Sequence, residues 1–162
     1  MNHVSLVIAR MATAGWVGAA CLYVITSIHE QKSGALDAAT KDTLALLRFP
    51  EYYACGFLLV GVSLIATILA QGCPSLPQRR RMIAVALLVA AISVLAADYF
   101  LVYRPLRELI SPPGGAHAPE FATYHQLSES VNAVQLAMCL AASILLCISS
   151  AHPSDVDPTS TG

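Results

Sequence analysis

Long runs without a formal charge are the strongest constraint in this sequence. Met11–Ile28, Tyr52–Gln78, Met82–Ala97 and Ser130–Ala151 contain no Asp, Glu, Lys or Arg. Crossing a hydrocarbon core about 30 Å thick takes roughly 20 predominantly apolar residues in a helix. The second and fourth runs reach that length outright. The first reaches it from Val4, with Arg10 snorkelling toward the headgroups. The third reaches it by taking in Asp98 and continuing through Tyr103. The spacing therefore predicts membrane-crossing helices over about 5–28, 52–71, 82–103 and 128–150. Backbone polar groups in hydrocarbon must be paired within the protein, so spans are helices or closed barrels. These runs are continuous and rich in Leu and Ala, without the alternation of barrel strands.

Composition agrees. Only 12% of the 162 residues are charged and 56% are apolar, where a soluble chain carries roughly 25% charged residues. Such a chain cannot furnish a polar skin, and disorder is excluded for the same reason. Nine Lys and Arg against ten Asp and Glu exclude a basic nucleic-acid binder. The expected fold is all-α: an integral membrane four-helix bundle, up-down-up-down, over 1–151, with a polar, disordered tail over 152–162. The expected setting is a plasma or inner membrane, crossed several times. Its partners would be the bilayer itself and a further membrane chain, either a second copy or another protein.

Arg79, Arg80 and Arg81 crowd the short second link. A dense basic cluster favours the cytoplasm, which places both termini inside. A cleaved signal peptide is disfavoured, because no basic segment precedes the first apolar run. Between the first two spans, Leu36, Ala39, Leu44 and Leu47 recur at helical spacing and predict a short amphipathic helix over about 35–48. Pro50 is then expected to start the second span. Ala14 and Gly18 form a small-xxx-small pair suited to close packing. Tyr52, Tyr53, Tyr99, Tyr103 and Tyr124 are placed as an interfacial aromatic belt.

Alternating spans bring one polar cluster together at the outer end. His125, Ser128, Asn132 and Gln135 follow i, i+3, i+7 and i+10, an arc of roughly 80° on the last helix. That polar face belongs in the bundle interior. Asp98 is costly at its depth unless partnered, and His125 or Asn132 are its expected partners. With Tyr124 and His29 these residues make a candidate ligand site or a clamp on helix register. No nucleophile–base pair, phosphate loop or Walker motif occurs, so no enzyme and no catalytic residue is expected. Five cysteines without a C-x-x-C pair, and no H-x-x-x-H, give no metal site. His29 and His125 leave a haem or metal protein as a second alternative, and no cofactor is expected.

The segment "FATYHQLSESVN" (Phe121–Asn132) resembles the signature that opens the last helix of the transmembrane protein 205-like family. "AGWVGAACLYVITS" (Ala14–Ser27), "LRFPEYY" (Leu47–Tyr53) and "ADYFLVYRPL" (Ala97–Leu106) resemble that family's first helix, second-helix entrance and third-helix exit. Phe121, Tyr124, His125, Ser128 and Asn132 stand at the signature positions. Asp98 departs from the family pattern, which often has Asn there. The resemblance implies a four-helix, non-enzymatic membrane protein without an established reaction. One eukaryotic member's link to drug resistance points toward transport, so a subunit moving a small solute or ion is the first alternative.

Overall fold

The computed structural model describes residues 2–115 and 118–148. The tail expected over 152–162 lies outside the described residues. Helix α1 is Asn2–Lys32, α2 is Ala38–Leu69, α3 is Gln78–Asp98, α4 is Arg104–Leu109 and α5 is Glu120–Cys147. A π-helical turn, Tyr99–Tyr103, joins α3 to α4 without a break, so the third span runs to Leu109. Four helices are long and apolar enough to cross a membrane, and there is no strand among the described residues.

Each helix outruns its apolar core. At 1.5 Å per residue, 31-residue α1 is about 46 Å long, well beyond a hydrocarbon core of about 30 Å. The first and third spans overshoot the expected ends on both sides, and the second and fourth begin earlier than expected, while α2 stops at Leu69 and α5 at Cys147, short of the expected 71 and 150. The largest departure is at α2. The predicted amphipathic helix and the second span are one continuous helix, with Pro50 in its interior. Proline lacks the N–H that would bond the Leu46 carbonyl. Long apolar helices tolerate that loss because neighbouring groups re-satisfy the freed backbone. The expected apolar face of this extension also turns differently: Leu47 is exposed, while Asp42 is buried and accepts a hydrogen bond from Gly114 N at 2.9 Å.

The helices form a ring. α1 packs on α2 and α5, and α3 packs on the same two. Asn2 Nδ2 donates to Gln71 O at 2.6 Å, Arg10 Nε to Leu146 O at 2.7 Å and Arg80 Nη1 to Ile148 O at 2.6 Å. These bonds gather the N-terminus, the α2–α3 link and the end of α5 at one end of the bundle, here called the terminal end. Residues 33–37, 110–115 and 118–119 lie at the other, the loop end. The bundle is thus up-down-up-down.

Polarity is arranged inside out. Val7, Met11, Leu58, Ile65, Leu101 and Ile144 face outward. Thr13, Ser63, Thr67, Asp98, Ser128 and Gln135 are buried. Small and hydroxyl side chains let membrane helices approach and bond across the interface. Thr13 and Ser63 hydrogen-bond to each other, and Thr13 also donates to Ala9 O at 2.6 Å. Trp16, 1% exposed, fills the centre of the ring over Gly56. The Ala14–Gly18 pair faces outward and takes no part in this packing.

Candidate functional site

Asp98 closes α3 one residue before the π turn. It is 1% exposed. Tyr53 Oη donates to its Oδ2 at 2.6 Å. Asn132 Nδ2 approaches the same oxygen at 3.5 Å and Ser128 Oγ at 3.4 Å. Tyr52 Oη donates to Asn132 Oδ1 at 3.1 Å. Asp98 Oδ1 has no close hydrogen-bond partner among the described residues, with the Ser128 hydroxyl a further donor beside the carboxyl. Neighbouring Tyr52 and Tyr53 thus reach two members of the expected cluster from α2, one on α3 and one on α5.

The π turn explains this placement locally. Pro105 has no N–H for the Leu101 carbonyl, and its ring crowds that carbonyl. Widening the preceding turn relieves the crowding, and Arg104 N bonds back to Tyr99 O. The widened turn carries Tyr99 and Tyr103, which pack their rings on Tyr53 with centroids 5.1 and 4.9 Å away.

Asp98, Asn132 and Ser128 come together as expected. His125 does not join them. Its ring stacks on Phe121, with centroids 5.7 Å apart and planes at 7°, and its Nε2 lies 3.3 Å from Glu129 Oε1. Asp98 is level with Asn132, and seven residues of helix place His125 about 10 Å higher. His29 is exposed and its Nδ1 is 2.9 Å from Ile25 O of its own helix. Tyr124 is half-buried and makes no hydrogen bond or ring contact among the described residues. Gln135 is buried, and its Nε2 donates to Cys139 Sγ at 3.5 Å.

Tyr52, Tyr53 and Tyr103 depart from the expected interfacial belt, since all three are buried in the bundle around Trp16. The adjacency of Tyr52 and Tyr53 was the available signal. Neighbours on a helix point about 100° apart, so two tyrosines in sequence can serve two neighbouring helices.

Between the loop-end halves of α1 and α5 lies a groove of ≈ 660 Å³. Val24, Ile25 and Ile28 form one wall, and Ala133 and Leu136 the other. Phe49 and Tyr52 of α2 form the floor, with Ser128 and Asn132 beside them. A smaller chamber of ≈ 80 Å³ lies beside it beneath the start of α2, and Tyr23, Ser27, Gln31, Phe49 and His125 line both. Glu30, Lys41, Asp42 and Arg48 wall the chamber. Arg48 is ion-paired with Glu30. Lys41 Nζ donates to Gln31 O at 2.8 Å. The end of α2 above the chamber is capped by Asp37, whose Oδ1 accepts from Thr40 N at 2.8 Å. Hydrogen bonding by Thr40 holds that carboxyl below its ordinary range. Among the described residues, no three of His, Cys, Asp and Glu gather into a metal-holding group.

The helices define a bundle compatible with a multi-pass membrane protein. No protein-family model, no curated protein and no solved structure matches this chain.

Proposed function

We propose that this chain is a non-enzymatic, multi-pass membrane protein of the transmembrane protein 205-like kind, and that it holds an amphipathic small molecule in the groove between α1 and α5. One observation carries the reading: a groove of ≈ 660 Å³, apolar along its length and charged at its head, at the loop end of the bundle. That volume lies within the range of small-molecule sites, about 300–1,000 Å³. The groove faces where lipid would be, so a ligand enters sideways from the bilayer rather than from water. With the arginine-rich link in the cytoplasm, the site opens near the outer leaflet.

The test is a groove-filling substitution. Ala133→Trp, purified in mild detergent, keeps a wild-type melting profile and loses the small amphiphiles that co-purify with the wild type in native mass spectrometry. Equal recovery from both proteins would sink the reading.

A second reading is favoured by the Tyr53–Asp98 bond. The polar side chains behind the groove bond mostly to each other, as members of a clamp on helix register do. Clamp and groove are compatible, because the clamp shapes the groove floor through Tyr52 and Asn132.

A further inference from the structure

The π turn and α4 carry a separate pocket of ≈ 490 Å³, which shares no lining residue with the groove between α1 and α5. Phe100, Tyr103, Arg104, Arg107 and Glu108 stand on its lining. Arg104 and Arg107 are three residues apart, so they share one face of the helix. Both are exposed, and neither guanidinium makes a hydrogen bond or ion pair among the described residues. Glu108 is the one carboxylate on the lining and pairs with neither of them, so two cations face one anion there.

A second observation points to the same place. Tyr103 is 3% exposed, and its hydroxyl is buried without a hydrogen-bond partner among the described residues. Arg107 is near enough to act electrostatically on that hydroxyl. A buried polar atom left unpaired is costly, and an anionic oxygen held by Arg107 supplies the missing acceptor.

The depth of the pocket selects the anion. Arg104 is the first charged residue after Asp98 and ends the apolar part of the third span. Phe100 lies one turn deeper and is 57% exposed on the lipid-facing side. The pocket thus straddles the edge of the hydrocarbon, where the phosphates of a bilayer lie. The planar fork of arginine matches phosphate oxygens in pairs.

We propose that this pocket holds the phosphodiester of a bilayer phospholipid. Arg104 and Arg107 donate charge-assisted hydrogen bonds to its non-bridging oxygens, the Tyr103 hydroxyl donates one more, and an acyl chain lies on Phe100.

Native mass spectrometry of the purified full chain, titrated with dioleoyl phosphatidylglycerol and with dioleoylglycerol, tests this. The two lipids share their chains and differ in the phosphate. Phosphatidylglycerol should bind about ten-fold more tightly, the scale of one charge-assisted contact. Arg104→Gln with Arg107→Gln should bring it down to the level of dioleoylglycerol, while Arg79→Gln, at the terminal end, and Ala133→Trp, in the groove, should leave it unchanged. Tyr103→Phe keeps the ring and should weaken phosphatidylglycerol about three-fold, which locates the site even where the double variant fails to fold. Equal affinity of the two lipids for the wild type would overturn the proposal. So would an equal loss in Arg79→Gln, which would mark a general attraction to cations, or in Ala133→Trp, which would move the lipid to the groove. Displacement of phosphatidylglycerol by an equal concentration of oleate would overturn the phosphate assignment, and unchanged binding in Tyr103→Phe would overturn the part given to its hydroxyl.

Discussion

A carboxylate inside an apolar bundle has to find donors, and Asp98 finds Tyr53. With the hydroxyl removed, Oδ2 loses its one short donor among the described residues and keeps the long approach of Asn132, with Ser128 nearby. Tyr53→Phe should therefore lower stability by about 1–3 kcal/mol, read as a fall in melting temperature in detergent. An unchanged melting temperature would remove the clamp from the account. Gly56 gives a second residue-scale expectation. A Cβ there would lie 2.8 Å from the Trp16 ring and 3.0 Å from Leu95. Gly56→Leu should abolish the monodisperse bundle on size-exclusion chromatography, while Gly18→Leu, with nothing within 4 Å of its Cβ, should leave it intact. At this scale the sequence was partly legible. Asp98, Ser128 and Asn132 could be grouped because their cost in lipid is intrinsic. Asn132 was among the expected partners of Asp98 and approaches it, but Tyr53, the shortest contact, could not be named, because it depends on how α2 is rotated. A tyrosine near a span's end suits the interface as well as the interior, and nothing local distinguishes the two.

At the level of the helices, hydropathy located the four spans but not their ends. Transfer cost to lipid stops mattering outside the hydrocarbon, and there hydrogen-bonded caps take over. Asp37 caps α2 well before the apolar run begins. Its carboxyl is held below the ordinary range, so the cap's contribution is present at neutral pH. It fades as pH falls through that lowered value. Asp37→Ala should fray the first turn of α2, seen as faster amide exchange at Thr40 and Lys41, and acid should do the same to the wild type. Unaltered exchange in the variant would show that packing alone holds that turn. The far end of α5 is held differently. Arg10 Nε bonds the Leu146 carbonyl where the helix dipole is negative. Arg10→Gln should cost about 1–2 kcal/mol and speed exchange at Cys147 and Ile148. Arg10 was read as snorkelling to lipid headgroups. In the folded bundle a helix end lies nearer, which a reading of one helix at a time cannot reveal.

The whole molecule is a thin-walled ring of helices with polar groups inside and apolar side chains outside. Its terminal end is stitched by Asn2, Arg10 and Arg80, and its loop end parts into a groove between α1 and α5. The proposed orientation, with the arginine link in the cytoplasm, predicts that Ser111→Cys in a cysteine-free background reacts with an impermeant maleimide on intact cells. Ser75→Cys should react only after permeabilisation. The reverse pattern would overturn the proposed orientation. The groove itself was beyond the sequence, since it is a property of two helices diverging and not of either helix's residues. The most direct test of its role is a photoactivatable alkyl-chain probe added to the purified protein, with adducts mapped by mass spectrometry. The account predicts adducts concentrated on Cys21–Lys32 of α1 and on His125–Leu136 of α5, and their loss in Ala133→Trp. Adducts spread evenly over the outward apolar faces of all four spans would contradict it.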